Sequence, residues 1–93
     1  MSKVWDKFEW DDEDKKNGNV QHLRDHRIEP EEAEECFFHD YVARKDERFD
    51  DIHILDGRTD RGRSLRLVFQ DKGRGLARIF TGWELKPPKK RKR

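Results

Sequence analysis

Apolar residues in this chain fall in short periodic runs separated by charged stretches, and the period changes partway along. At the start, Val4, Phe8 and Trp10 share one face of an alternating segment, which predicts a short strand over 1–10 with Asp6 out of phase. Residues 11–16 are charged, and Asn17-Gly18-Asn19 reads as a turn. Over 20–27 the spacing becomes helical. Val20 and Leu23 make a narrow apolar stripe, with His22 and His26 at i, i+4 beside it. Glu29-Pro30-Glu31-Glu32 predicts the start of a second helix, because proline is preorganised for the first helical position and acidic side chains suit the positive end of the helix dipole. Ala33, Cys36 and Phe37 then form its buried face, and His39 and Asp40 end it.

Beyond Tyr41 the period shortens to two. Residues 41–48 predict a weak strand. Residues 50–58 predict a better one, with Ile52 and Ile54 on one face and His53 and Leu55 on the other. Asp60-Arg61-Gly62 is a hairpin turn. Residues 64–70 are the clearest strand, with Leu65, Leu67 and Phe69 inward and Arg66 outward. A second hairpin at 71–75 leads to a last strand over 76–83, and Gly62 and Gly73 supply the positive φ such turns need. The resulting class is α+β: two N-terminal helices packed on a four- to five-stranded, mainly antiparallel sheet. One domain spans 1–85. Residues 86–93, Lys-Pro-Pro-Lys-Lys-Arg-Lys-Arg, predict a basic disordered tail, since prolines exclude a helix and like charges repel.

Composition narrows the picture. Of 93 residues, 46% are charged and only 20 are Ile, Leu, Val or Phe, so the core is thin and a partner that binds the folded form adds stability. The net charge of +1 hides a division. Residues 1–56 carry 18 acidic and 9 basic side chains, a net of −9, whereas residues 57–93 carry 3 acidic and 13 basic, a net of +10. Such a cationic half either concentrates an anion, of which nucleic acid is the commonest large one, or folds against the acidic half. The single cysteine, Cys36, excludes an internal disulfide and reads as a small buried hydrophobe. No apolar run approaches the roughly 18 residues of a membrane span, so the expectation is a soluble cytoplasmic protein with no membrane partner.

Two segments carry a resemblance. The first is Phe8-Glu9-Trp10-Asp11, followed after a spacer by Gly18-Asn19-Val20-Gln21-His22-Leu23-Arg24-Asp25-His26-Arg27-Ile28-Glu29-Pro30-Glu31-Glu32-Ala33-Glu34-Glu35. The second is Gly57-Arg58-Thr59-Asp60-Arg61-Gly62-Arg63-Ser64-Leu65-Arg66-Leu67-Val68-Phe69, followed by Ala77-Arg78-Ile79-Phe80-Thr81-Gly82-Trp83. Their order resembles the BrnT-like proteins, toxin components of type II toxin–antitoxin pairs. The resemblance implies a RelE-like fold, metal-independent cleavage of RNA, neutralisation by a cognate antitoxin, and contact with promoter DNA only through the toxin–antitoxin complex. Residues 12–17 read as an insertion, and Arg27 stands where the family usually has glycine. The family's C-terminal helix, with its Glu-Arg and tyrosine, is replaced by the sequence 86–93.

Metal-free RNA cleavage uses the substrate's own 2′-hydroxyl and needs guanidinium groups for the phosphate and a proton carrier titrating near neutrality. Arg63 and Arg78 are the catalytic candidates for charge stabilisation, with Arg58 assisting, provided that they converge on one phosphate rather than pairing with the acidic helices. His26 and His22 are the acid/base candidates, with packing and hydrogen bonding as the competing role and His53 as a further base. Trp83 either stacks on a base or caps the core. Arg58, Arg61, Lys86, Lys89, Lys90 and Arg91 complete the RNA-binding set, whose charge makes binding salt-dependent. Histidines at i, i+4 also suit zinc, but no second Cys/His cluster accompanies them, so neither metal nor cofactor is expected. The readings are thus a ribonuclease toxin and, alternatively, a catalytically inactive BrnT-like module that binds nucleic acid or a protein partner.

Overall fold

The computed structural model describes residues 4–85. The tail expected at 86–93, with Lys86, Lys89, Lys90 and Arg91, lies outside the described residues. In chain order the elements are β1 (Lys7–Phe8), α1 (Asn19–Asp25), α2 (Pro30–Glu35), β2 (Val42–Lys45), β3 (Ile52–Arg58), β4 (Ser64–Gly73) and β5 (Leu76–Glu84). The five strands form one sheet in the order β1-β5-β4-β3-β2. β1 pairs with β5 in parallel, and the other three pairings are antiparallel, so the architecture is α+β with a mixed sheet and two short helices between β1 and β2.

Alternation sets the inner face. Leu55, Leu65, Leu67, Phe69, Ala77 and Ile79 are fully buried against Leu23, Ile28, Ala33, Cys36 and Phe37. Each helix reaches this core with the stripe its spacing predicts: Val20 and Leu23 in α1, and Ala33 followed by Cys36 and Phe37 in α2. Glu29 and Glu32 form a capping box at the start of α2. Burial pushes the Cys36 thiol up to about 12, so it stays protonated as a small core group.

Two details of phase depart from expectation. The N-terminal strand is only two residues long, and the buried aromatic there is Trp5, 5% exposed, whereas Val4 is 67% exposed. Trp5 packs edge-on against Phe69 with ring centroids 4.9 Å apart, held there as the Asp6 and Lys7 N–H groups dock on the Gly75 carbonyl ahead of the parallel pairing with β5. In β5 the register shifts between Val68 and Phe69: Val68 faces Thr81 while Phe69 faces Ile79, leaving Phe80 as an extra residue. The bulge changes the inward parity from Ala77 and Ile79 to Gly82. Arg78 therefore lies on the outer face with Leu76, and Trp83 lies there too, opposite Arg66. Gly82 is required by close approach, since a Cβ would sit 2.6 Å from Leu67 Cδ2 and 2.8 Å from the Arg66 carbonyl.

Candidate functional site

The residues that carry the resemblance mostly join the two halves of the chain. Phe8 packs on the core, and Trp10 Nε1 donates to Glu34 Oε2 at 2.6 Å, tying the N-terminal segment to α2. The buried Asn19 side chain donates to the Glu9 carbonyl at 2.9 Å and accepts from the Asp11 N–H at 2.8 Å, while the Asn19 N–H donates to Asp11 Oδ2 at 3.0 Å. Arg78 completes that knot: its Nη2 donates to Asp11 Oδ2 at 2.9 Å, and Glu9 lies 3.7 Å from Nη1. The Arg78 hydrogen bond and the Asn19 N–H hold the Asp11 carboxyl down to about 2. Residues 12–17 form an exposed loop bracketed by this knot, with its turns closed by Lys15 N–H to Asp12 and Gly18 N–H to Lys15.

Arg63 closes a second junction. Its Nη1 donates to Glu32 Oε1 and Oε2, each at 2.9 Å, and to the Arg27 carbonyl at 3.0 Å, while Nη2 donates to Glu84 Oε1 at 3.0 Å. Burial raises the Glu32 carboxyl, but the Glu29 N–H and the Arg63 guanidinium outweigh it and leave Glu32 below the usual range. Glu84 and Glu32 together raise Arg63. A third pair, Arg66 to Asp56, is bidentate at 2.7 and 2.8 Å and lies on the outer face.

The convergence of Arg63 and Arg78 on one phosphate is therefore not realised. Arg78 sits opposite Gln70, about seven residues along β4 from Arg63, which is roughly 23 Å at a strand rise of about 3.3 Å per residue. Arg63 also shares parity with the inward Leu65, while Arg78 points to the other face. Ala77 hides this in the sequence: it is the inward residue, but it is smaller than the outward Leu76 and Phe80 that flank Arg78. His22 and His26 are exposed at the C-terminal end of α1 and form no side-chain hydrogen bond among the described residues. Chain connectivity alone brings His26 near Arg63, through the Arg27 carbonyl. His53 is not a surface base: it is 5% exposed, its ring stacks on Phe69 at 5.5 Å, and its Nδ1 is buried without a partner. Trp83 is 39% exposed on the outer face and does not cap the core.

Arg58 and Arg61 stand apart. Both are exposed and form no ion pair among the described residues, although the Arg61 charge helps to lower the Glu32 carboxyl. Within the same segment Gly57 packs flush against Cys36, the Thr59 hydroxyl accepts from the Arg63 N–H at 3.0 Å, and Gly62 takes the positive φ of the turn at +89°. Arg58 lines a cleft of about 520 Å³ with His39, Asp40, Thr59, Asp60 and Gly62. In it His39 Nε2 lies 2.6 Å from Asp60 Oδ1, a contact that sequence reasoning missed because its partners are 21 residues apart.

Among the described residues no three His, Cys, Asp or Glu side chains cluster as a metal site would, and no helix is long and apolar enough to cross a membrane. Scans against protein-family models, curated proteins and solved structures each return no match to this chain.

Proposed function

We propose that this protein is a BrnT-like ribonuclease toxin of RelE-like architecture, cleaving RNA by metal-independent transesterification and neutralised by a cognate antitoxin. Promoter DNA enters only through the complex with that antitoxin. One observation carries the reading: the ordered motifs of the resemblance supply the polar junctions that hold the helices, the N-terminal segment and the sheet together. Arg63 to Glu32 and Arg78 to Asp11 bind the basic half to the acidic half, Trp10 to Glu34 and Asn19 to Asp11 brace the acidic partners, and Arg58, inside the same motif set, forms no ion pair and lines a cleft. In this reading Arg63 and Arg78 position the sheet and helices, and Arg58 and Arg61 meet the phosphate backbone. The basic sequence after Leu85 adds a salt-dependent, sequence-independent attraction.

The test is induced expression of the intact chain without antitoxin, reading growth and total RNA integrity together. Growth arrest with fragmented RNA is expected. Arg58→Ala is the informative variant, because replacing Arg63 or Arg78 removes fold contacts and would relieve arrest through unfolding alone. A second reading, a BrnT-like module that binds nucleic acid or a protein partner without cutting it, is favoured by the full engagement of Arg63 and Arg78 with carboxylates. Normal growth and intact RNA from folded protein would establish it over the toxin.

A further inference from the structure

We infer that the end of the sheet where β3 turns into β4 holds a phosphodiester-cleaving centre built from His39, Asp60 and Arg58, with single-stranded RNA as its substrate. The inference rests on the ribonuclease reading and assigns the proton transfer to His39, which lies outside the motifs, beside Arg58 and Asp60, which lie within them.

The chain has four histidines. His53 is buried in the core, and His22 and His26 have no orienting partner among the described residues. His39 alone combines a carboxylate partner with exposure, its side chain being 47% accessible. A carboxylate only accepts, so in the neutral imidazole the 2.6 Å contact with Asp60 Oδ1 puts the proton on Nε2 and leaves the lone pair on Nδ1. That is the arrangement of an oriented general base. Asp60 is itself fixed. Its N–H donates to Glu35 Oε1 at 2.9 Å, and the turn that carries it is closed by Thr59 N–H to Arg63 and Gly62 N–H to Thr59, both at 2.9 Å.

The cleft beside this pair supplies the rest. Arg58 and Asp40 line both the 520 Å³ cleft and an adjoining one of about 260 Å³ that also contains Tyr41 and Ser64. Arg58 thus lies where the two clefts share lining, with Tyr41 as the aromatic side chain of the smaller one. Asp40, Asp60 and Asp56 (the last paired with Arg66) line these clefts and oppose anion binding, so phosphate affinity here depends on the Arg58 guanidinium.

The step balances without a metal, water or redox partner. The 2′-hydroxyl proton passes to His39 Nδ1 as the 2′-oxygen bonds to phosphorus. Arg58 N–H groups take up the charge on the non-bridging oxygens, and the Asp60 carboxylate stabilises the imidazolium. The P–O5′ bond breaks and the imidazolium returns its proton to O5′. The products are a 2′,3′-cyclic phosphate and a 5′-hydroxyl, and His39 ends neutral.

The experiment uses the purified full chain, a fluorescent single-stranded RNA oligonucleotide as substrate, and its uncleavable 2′-deoxy counterpart as binding probe. His39→Gln is expected to lower kcat by about 10²–10⁴-fold while leaving the Kd for the probe unchanged. Asp60→Asn is expected to lose part of that rate, and Arg58→Ala to raise the Kd by about 10–100-fold. Fragments should end in 2′,3′-cyclic phosphate. If the wild-type protein cleaves and folded His39→Gln cleaves equally well, the centre lies elsewhere while the ribonuclease reading stands. If His39→Gln loses binding in proportion to rate, His39 shapes the loop and moves no proton, which also overturns the inference. A folded wild-type protein that leaves RNA intact refutes both readings.

Discussion

Arg27→Gly should stabilise this protein, and the reason is local. Helix α1 ends with the Arg27 N–H donating to the Arg24 carbonyl and the Ile28 N–H to the Leu23 carbonyl, both at 2.9 Å. With His26 as C-cap, these are the two bonds of a Schellman ending, and the fully buried Leu23 and Ile28 provide its hydrophobic contact. That ending needs a left-handed residue after the cap, and Arg27 takes it with φ at +63°. For an L-residue this conformation costs about 1–2 kcal/mol, which glycine avoids at an entropic cost of about 0.5–1 kcal/mol. The side chain forms no ion pair among the described residues, and the contact with Arg63 uses the Arg27 carbonyl, which glycine keeps. The net expectation is a gain of about 0.5–1 kcal/mol, or about 2–8 °C in Tm for a domain of this size. Urea unfolding followed by tryptophan fluorescence measures it, with Arg27→Ala as the control that retains the left-handed penalty. A lower midpoint for Arg27→Gly, together with an equal loss for Arg27→Ala, would show that the arginine side chain contributes more than its backbone conformation costs, and the reasoning would fail.

Gly82→Ala should destabilise by about 1–3 kcal/mol, because the new methyl meets the Arg66 carbonyl as well as Leu67, and urea midpoints will read the loss directly. His53→Leu removes a buried Nδ1 without a partner at similar volume and should raise the midpoint by about 1 kcal/mol; a fall would mean that the ring contacts with Trp5 and Phe69 outweigh it. Acid should act through Asp11. Its carboxyl is held down to about 2 in the folded protein, so its contribution is fully present above its ordinary value of 3.8 and is lost as pH falls through about 2. Midpoints measured from pH 5 to pH 2 should fall less steeply for Asp11→Asn than for the parent.

The parts that depend on local periodicity were legible in the sequence. Leu65, Leu67 and Phe69 alternate cleanly, Pro30 with its acidic neighbours starts α2, and Gly62 makes its turn. The misread parts depend on partners distant in sequence. Trp5 is buried because β1 joins the far edge of β5, a parallel pairing that no local spacing announces. The bulge at Phe80 reverses the parity of β5 and so puts Arg78 and Trp83 on one face, although an even and an odd position should oppose each other. The meeting of His39 with Asp60 depends on where the end of α2 lies relative to the β3–β4 turn, and Glu35 on the Asp60 N–H is the contact that sets it.

The charge division has a structural use that constrains any function of the basic half. Arg63 is held by Glu32 and Glu84, Arg66 by Asp56, and Arg78 by Asp11 and Glu9, so three of its arginines neutralise carboxylates, nearly all of them from the acidic half. A polyanion that recruited these guanidinium groups would have to break contacts that join helix to sheet, exposing carboxylates to the phosphate in the same step. RNA binding at no cost to the fold is confined to cations the fold leaves free. Arg58 and Arg74 are such cations among the described residues, and Arg58 directly precedes Thr59 and Asp60 in the turn that carries the partner of His39. Of these two, only Arg58 lies beside an oriented imidazole, so electrostatic accounting and proton-transfer geometry, which rest on different side chains, are jointly met at this end of the sheet.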